Sequence, residues 1–480
     1  MFSVIIMDLN EKYNKLINFF KEISKVPRNS KEEGKIAEYL CNFAASRNLW
    51  YKKDENNNVL IKKSASKGYE NRKNILFQAH TDMVCVKTEE STHDFITDPI
   101  EIIDNGETLT AKDTTLGADD GIGVAFLMLL LDDTDIKLPN IECLFTTEEE
   151  IGMNGARAFN YSDIDASYLI NLDGEEENTA IVGCAGGVSV NYTKECDLEN
   201  VSDIAYELNI TGLYGGHSGV DIDKGRINSN YLAARLLNEL ADVKIISFIG
   251  GTKDNAIANN TKVIFTTSTI EIDKTINSAL CKFRFTKEDR DIKVEVKSVL
   301  TKNRLMCTNK EDSKSILSLI IGLKQNVIEM SKDIKGLVET SGNIGIVNVE
   351  DGKVLVVESL RSSIDSRKEE IKEENNNLAL KLGFNITEEG AYPGWKYNPN
   401  SKLEKVYLDA YKQTHSGKEP IICAIHAGVE CGMIYENLPH LDMISLGPDV
   451  KDVHTVNETL YLNSCKKMLE ILVYMIDKLD

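Results

Sequence analysis

Histidine and carboxylate side chains stand directly after short apolar runs in this chain. His80 and Asp82 follow the run 75–77, and Asp173 follows the mostly apolar run 168–172. A buried strand of a parallel sheet delivers the residues after it to the carboxyl edge of the sheet, where α/β proteins bind ligands. Imidazole and carboxylate groups that meet at such an edge are typical of metal-dependent hydrolases, and the sequence predicts one.

The H-T-D spacing adds a second carboxylate behind His80. Asp82 can accept a hydrogen bond from one ring nitrogen and so leave the other nitrogen free to bind a metal ion. The alternative is that His80 is a structural histidine at the end of a strand.

Two adjacent acids, Asp119 and Asp120, lie among glycines in TTLGADDGIG. Acids at such a turn commonly cap the helix that follows, and one of the two is expected to do so. Adjacent carboxylates also repel each other, and a bound dication offsets that repulsion. Asp119 is the candidate for a ligand that bridges two ions.

Three consecutive glutamates end the segment ECLFTTEEE. Such an acid run is commonly solvated surface, but here it allows a division of labour. Glu150 can bind a metal ion while Glu149 takes a proton from water as general base. His454, in LGPDVKDVHT, is either a loop histidine or a second imidazole ligand.

The candidate ligands are two histidines and three acids, without a thiolate: His80, Asp119, Glu150, Asp173 and His454. These donors suit a pair of Zn²⁺ ions, with Mn²⁺ or Co²⁺ as replacements. Two such ions can share one water molecule and lower its pKa to about 7, which makes hydroxide available at neutral pH.

The elements that must position these residues are of two kinds. Helical spacing over 9–48, strands at 59–63 and 75–79, an apolar helix at 119–133 and strands at 140–150 and 167–173 predict an α/β domain with a mostly parallel, helix-covered sheet. From 187 onward, alternating segments such as 204–213, 262–272 and 291–299, with a helix at 230–240, predict an α+β domain.

The tail carries a helix at 402–413, strands at 421–425 and 441–447, and a helix from 458. It is expected to return to the first domain, because His454 must complete the site there. The predicted organisation is therefore a catalytic domain over 1–186 and 386–480, interrupted by a second domain over 187–385.

Composition narrows the function. A chain of 480 residues with 42% hydrophobic residues fits two domains. The net charge of −21 argues against nucleic acid or an anionic membrane as partner. Ten cysteines without a C-x-x-C pair fit a reducing cytoplasm, and neither a signal peptide nor a membrane span is expected.

Longer motifs resemble one family along essentially the whole chain. The sequence is similar to the co-catalytic di-zinc metallopeptidases, and most similar to the bacterial aminoacyl-histidine (Xaa-His, or cytosol non-specific) dipeptidases. The segments that carry the resemblance are FQAHTDMV, TTLGADDGIG, TTEEEIGMNGA, NLDGEEE, GGHSGVDI, RSSIDS, YPGW, IHAGVECG and GPD followed by His454.

The resemblance implies residue roles. One metal ion would be held by His80, Asp119 and Asp173, and the other by Asp119, Glu150 and His454. Asp82 would lie behind His80, and Glu149 would be the base.

In the inserted domain, a lid that forms homodimers in many relatives, the resemblance implies further roles. His217 would stabilise the developing oxyanion, and Asn255, Arg361 and Gly428 would contact the substrate's C-terminal carboxylate. The alternatives are that His217 shapes a glycine turn and that Arg361 pairs with Asp365 or Glu369 along a helix.

Two positions depart from the family pattern. Position 120 is Asp where these dipeptidases usually have Asn, and position 148 is Glu where a shorter acid is common. The added charge at 120 bears on metal affinity and on the peptide bond after Asp119, which relatives hold in the cis form.

The expected reaction is dipeptide hydrolysis by a metal-bridging hydroxide, with Glu149 carrying the proton to the leaving amine and lid closure excluding water. The alternatives are an N-acyl amino-acid deacylase or tripeptidase of the same family, and a non-catalytic binding protein. The last conflicts with the presence of Glu149 and all five candidate ligands.

Overall fold

The computed structural model describes residues 2–201, 204–289, 291–299 and 305–480. Its α-helices are α1 (Phe2–Ile23), α2 (Gly34–Ser46), α3 (Ala118–Asp132), α4 (Asn154–Ala158), α5 (Ser229–Leu237), α6 (Ile272–Leu280), α7 (Lys310–Gly322), α8 (Asp365–Lys381), α9 (Lys402–Thr414), α10 (Glu430–Asn437) and α11 (Leu462–Lys478). Short 3₁₀ turns lie at Tyr161–Asp163 and Ile222–Lys224.

The strands are β1 (Trp50–Lys53), β2 (Val59–Lys63), β3 (Ile75–His80), β4 (Ile102–Asp104), β5 (Thr108–Ala111), β6 (Ile141–Thr146), β7 (Tyr168–Asn171), β8 (Thr179–Cys184), β9 (Gly186–Glu195), β10 (Leu198–Asn200), β11 (Ala205–Thr211), β12 (Gly216–His217), β13 (Lys244–Gly250), β14 (Ala256–Ile257), β15 (Thr261–Thr266), β16 (Lys293–Val299), β17 (Met306–Thr308), β18 (Asn326–Met330), β19 (Val338–Glu350), β20 (Lys353–Ser362), β21 (Asn385–Tyr392), β22 (Ile421–Ile425), β23 (Asp442–Ser445), β24 (Val450–Lys451) and β25 (Thr459–Tyr461).

The chain divides into two compact units. Unit 1 contains residues 1–183, 397–424 and 429–480, and unit 2 contains 184–396 and 425–428. The sequence-based boundaries at 186/187 and 385/386 differ from these. Residues 386–396 lie in unit 2 because β21 pairs with β9, and the short return 425–428 has no signal in the sequence.

Unit 1 contains an eight-stranded sheet with the order β1-β2-β6-β3-β7-β23-β8-β22. The central strands β6, β3, β7 and β23 run parallel, whereas β1, β2 and β8 run antiparallel to their neighbours. The predicted α/β class is confirmed, and the parallel part of the sheet is its centre.

Helix α3 is buried against the centre of this sheet. Its sequence is apolar on every face, from Ile122 to Leu131, and such a helix must be buried all round. It packs against α1 and β3, and nearly all of its side chains are buried. The start of α3 is thereby fixed beside the carboxyl end of β3.

A smaller sheet of unit 1 has the order β24-β25-β5-β4. The antiparallel pair β24 and β25 forms a hairpin, in which Val450 lies opposite Leu460. The loop of this hairpin, residues 452–458, contains His454.

Unit 2 is built on an antiparallel sheet with the order β16-β11-β15-β13-β19-β20-β9-β21, and β18 pairs with β19. Its core brings together alternate residues of these strands and the apolar faces of α5, α6, α7 and α8. Strand β15 ends at Thr266, earlier than the alternating pattern through 272 predicts, because α6 begins at Ile272.

One smaller expectation was also wrong. The final helix begins at Leu462 rather than 458, because Thr459–Tyr461 forms β25. In the part of the chain that the structure describes, no helix has the length and apolarity needed to cross a membrane.

Candidate active site

The carboxyl ends of three neighbouring parallel strands carry candidate ligands of unit 1. Strand β3 ends at His80, which lies opposite Thr146 at the end of β6. Glu149 and Glu150 follow β6, and Asp173 follows β7. The expectation that these side chains lie at one edge of the sheet is met by the strand order.

Asp119 lies between the two histidines. Its Oδ1 is 3.1 Å from Nε2 of His80, and its Oδ2 is 3.1 Å from Nε2 of His454. The His80 Nε2 atom is also 3.4 Å from Asp173 Oδ1, and the His454 Nε2 atom is 3.1 Å from Glu150 Oε1. The structure thus brings all five predicted ligands together, as two groups that share Asp119.

Asp82 holds more than the imidazole of His80. Its Oδ1 is 3.4 Å from Nδ1 of His80, and its carboxylate accepts hydrogen bonds from Ser30 Oγ at 2.7 Å and from the backbone N–H groups of Glu149 at 3.1 Å and Glu150 at 3.3 Å. Burial opposes its ionisation, but these hydrogen bonds lower the pKa of Asp82. One buried carboxylate therefore orients a candidate ligand and the loop that carries the candidate base.

Asp120 performs the capping function that was expected of one of the two adjacent acids. Its Oδ1 accepts from the N–H of Gly123, and its Oδ2 from the N–H of His80, both at 3.1 Å. Asp120 also lies close enough to His80 and Asp173 to form a ligand group with them, but both of its oxygens are engaged by backbone. The peptide bond between Asp119 and Asp120 is cis.

The site concentrates acids that resist ionisation. Burial raises the pKa of Glu149 to about 9, with repulsion from Asp173, Glu430 and Glu150 adding to the effect. Burial also raises the pKa of Asp173 to about 6, and hydrogen bonds to Asp119 and Glu150 raise the pKa of His454 to about 10. Added positive charge would allow all the carboxylates to ionise.

The donor set fits divalent cations. Five side chains offer imidazole nitrogen or carboxylate oxygen, each within 3.4 Å of at least one other, and no sulfur takes part. Within the described residues, both groups of metal-type side chains that are close enough to hold an ion lie here. Such donors suit Zn²⁺.

Three buried residues around the site have no role in the sequence-based prediction. Glu458 binds the turn before Asp119, and Arg28 binds the same turn from another direction. Glu430 accepts hydrogen bonds from Gln78 at 2.5 Å and Thr146 at 2.6 Å, and its charge contributes to the raised pKa of Glu149. Glu430 belongs to the motif IHAGVECG, but isolated acids give no signal of what they contact.

In unit 2, His217 is held in one tautomer. Its Nδ1 accepts hydrogen bonds from the backbone N–H groups of Gly219 and Val220, each at 3.1 Å. Burial and the nearby charge of Arg361 lower the pKa of His217. The neutral imidazole therefore carries its proton on Nε2, as a donor.

Arg361 is buried without an acid partner. Its guanidinium donates to the Tyr392 hydroxyl at 2.5 Å, and it makes no ion pair with the described residues. The alternative pairing along a helix is wrong: Asp365 pairs with Lys368, and Glu369 pairs with Lys372. A desolvated, unpaired guanidinium is suited to bind a ligand carboxylate.

The other two predicted substrate contacts lie in loops. Asn255 has an exposed side chain, and its backbone oxygen accepts a hydrogen bond from Ser218 N at 2.8 Å, directly after His217. Gly428 is half-buried in the loop before α10. Their roles stay predictions.

Comparisons with known proteins agree with this chemistry. The family model described as Peptidase family M20/M25/M40 matches residues 76–478. Cytosol non-specific dipeptidase of Escherichia coli strain K12 is 34% identical over 462 residues, which cover 94% of each chain.

Solved structures of other proteins have a similar fold. Aminoacylhistidine dipeptidase from Vibrio alginolyticus is 34% identical, with a TM-score of 0.92 over 97% of this chain and 96% of that one. An aminopeptidase from Bacillus cereus shares the fold, with 18% identity and a TM-score of 0.54 over 97% of this chain and 98% of that one. The resemblance indicated by the sequence motifs is confirmed, and the chain belongs to Peptidase family M20/M25/M40, a family of metal-dependent hydrolases.

Proposed function

We propose that this chain hydrolyses dipeptides, Xaa-His among them, with two divalent cations held by unit 1. The observation that carries the proposal is the position of Asp119, which presents one oxygen to each of two imidazoles, with a further acid beside each imidazole. The relative that matches over 94% of this chain is a dipeptidase.

The five proposed ligands divide into two metal positions. His80, Asp119 and Asp173 would hold one ion, and Asp119, Glu150 and His454 the other. Zn²⁺ is the expected ion, with Mn²⁺ or Co²⁺ as replacements. When bound, a pair of such ions polarises the scissile carbonyl and lowers the pKa of water to about 7.

Glu149 is the proton carrier. Its backbone N–H donates to Asp82, which also lies beside His80. This shared partner holds the loop of Glu149 close to His80. Glu149 takes a proton from the attacking water and delivers that proton to the leaving amine. Because the adjacent residue Glu150 is a proposed metal ligand, Glu149 would lie beside the metal ion.

His217 and Arg361 are the two proposed side-chain donors to the substrate. The Nε2–H of His217 donates to the oxygen that becomes negative as the carbonyl is attacked. The guanidinium of Arg361, which is buried and forms no ion pair with the described residues, binds the substrate's α-carboxylate. Asn255 and Gly428 add backbone or amide contacts to the same carboxylate. A fixed carboxylate clamp restricts the substrate to one residue beyond the cleaved bond.

The setting proposed for this activity is the cytoplasm, as the name of the Escherichia coli relative suggests for that protein. Homodimer formation through unit 2 is part of the proposal, by resemblance alone.

The proposal is tested with a substrate panel and elemental analysis. The purified protein is assayed with Ala-His, β-Ala-His, a tripeptide and an N-acetyl amino acid, before and after chelation. We expect two metal ions per chain and chelator-sensitive turnover that is fastest with a dipeptide. Faster turnover of the tripeptide or the acylated amino acid would favour the alternative activities, and absence of turnover with two ions bound would reject the enzyme.

A further inference from the structure

The carboxylate of Glu458 lies near the site, and the residue is only 2% exposed. Its Oε2 accepts from the backbone N–H groups of Leu116 at 2.8 Å and Gly117 at 2.9 Å. Its Oε1 accepts from those of Ala118 at 2.7 Å and Asp119 at 3.2 Å. Four consecutive N–H groups of one turn therefore point at a single side chain.

The turn is also held through its carbonyl side. The Arg28 guanidinium donates to the backbone oxygens of Gly117, Thr81 and Asp82. Gly117 has a φ of +70°, and a Cβ atom on it would lie 2.5 Å from an Arg28 nitrogen. The backbone that presents Asp119 is thus fixed by a buried acid and a buried base.

Glu458 belongs to the same loop as His454. Both lie in the hairpin loop between β24 and β25, and the N–H of Glu458 donates to the oxygen of Thr455 at 3.2 Å. His454 itself is about half exposed, so packing alone does not fix it. The contact of Glu458 with residues 116–119 ties the loop that carries one imidazole to the turn that carries the shared aspartate.

We propose that Glu458 is a positioning residue that aligns Asp119 with His454 for metal binding. The inference rests on the proposed function, since it concerns the ion that Asp119 and His454 would share. Glu458 is not one of the proposed metal ligands or substrate contacts, because both of its oxygens accept hydrogen bonds from backbone N–H groups. It acts by holding in place two proposed ligands from remote parts of the chain. Loss of a hydrogen-bonding partner behind a metal ligand typically weakens metal binding by about 10- to 100-fold.

The test compares Glu458→Gln with Glu358→Gln. Glu358 is a matched control because it is also a fully buried, hydrogen-bonded glutamate, but it lies in unit 2. Gln has the size of Glu, yet its amide nitrogen cannot accept, so two of the four N–H groups would lose their acceptor. Zn²⁺ affinity is measured by chelator competition, and the visible spectrum is recorded after titration with Co²⁺.

We expect Glu458→Gln to bind at least one ion about tenfold or more weakly and to alter the Co²⁺ spectrum. The Glu358→Gln protein should match the wild type in both measurements. Wild-type affinity and spectrum in Glu458→Gln would overturn the inference, whereas a wild-type protein that binds no ions would reject the proposed function itself.

Thermal unfolding of the metal-free proteins separates positioning from folding. If Glu458→Gln does not fold, Glu458→Asp, which keeps the charge on a shorter side chain, is measured in the same way. If that protein does not fold either, Glu458 is a determinant of folding and the positioning role is rejected.

Discussion

Asp119 and Asp120 are adjacent and chemically identical, yet their surroundings give them different roles. Asp119 faces two imidazoles, which lower its pKa despite burial. Asp120 faces two backbone N–H groups and the acids Asp173 and Asp119, and burial together with Asp173 raises its pKa. The position of each carboxylate relative to backbone and histidine decides which of them can serve a cation.

Glu149→Gln tests the assignment of the base. Gln keeps the size of the side chain but cannot carry the proton, so kcat should fall by about 10²- to 10⁴-fold while the metal content stays at the wild-type value. Steady-state kinetics with elemental analysis measures both. Turnover close to wild type would remove Glu149 from the proposed mechanism.

Proton release on metal binding tests the protonation state of the site, in which both His454 and Glu149 have raised pKa values. Because the pKa of His454 is raised to about 10 by Asp119 and Glu150, the metal-free protein carries this proton at pH 7.5, and a bound cation must displace it. Metal affinity should therefore fall as pH is lowered, by about tenfold per pH unit for each proton released. Calorimetric titration in buffers of different ionisation enthalpy counts the protons, and a count of zero contradicts the expectation.

Arg361→Gln tests the carboxylate clamp. The variant should raise KM for Ala-His with a smaller change in kcat, because an interaction made equally in the ground and transition states is lost. The matched control is the C-terminal amide of the same dipeptide, which lacks the carboxylate. Equal loss with both substrates would show that Arg361 does not bind the carboxylate.

At the scale of elements, the parts of unit 1 with strong apolar patterns could be predicted from sequence. Strand β2 and helix α3 lie within a residue or so of their expected bounds, and the strand ends located His80 and Asp173. These predictions were confirmed because a buried strand or helix requires a regular pattern of apolar residues in the sequence.

Contacts between distant segments could not be predicted in the same way. Glu458 looks like one more acid in a polar loop, and only the hairpin of β24 and β25 shows what it bonds. Likewise, nothing in IHAGVECG indicates that residues 425–428 belong to unit 2. Periodicity reports burial, but it does not report which remote backbone a polar side chain will meet.

The buried Glu358 of β20 predicts a pH dependence of unit 2. Tyr192 and Asn375 donate hydrogen bonds to it, yet burial raises the pKa of Glu358 to about 8 from 4.5. Below pH 4.5 the carboxyl is neutral in the folded and unfolded chain, so its stabilising contribution is complete. Between pH 4.5 and 8 only the unfolded chain ionises, and stability falls as pH rises.

Glu358→Gln should remove this contribution to the pH dependence. The free energy of unfolding of the wild type should decrease from pH 5 to pH 8 relative to that of the variant, by about 2 kcal/mol or more. Denaturant titrations can follow Trp395 of unit 2 in a Trp50→Phe background, because these are the two tryptophans of the chain. Parallel pH profiles for the two proteins would contradict the assignment.

At the scale of the whole molecule, metal ions should stabilise the two units unequally. Every candidate ligand lies in unit 1, and a ligand stabilises the state that binds it. Hydrogen–deuterium exchange should slow on addition of Zn²⁺ in α3 and remain unchanged in β11 of unit 2. Equal slowing of exchange in α3 and β11 would contradict this prediction.

The hairpin loop of β24 and β25 also sets the order in which the site can be completed during synthesis. His80, Asp119, Glu150 and Asp173 emerge from a ribosome hundreds of residues before His454 and Glu458. Until that late loop arrives, the shared aspartate has one imidazole beside it and its turn has no acid to bind. A nascent chain therefore lacks one of the five candidate ligands, and the acid that binds the turn of another, while most of its sequence is already translated.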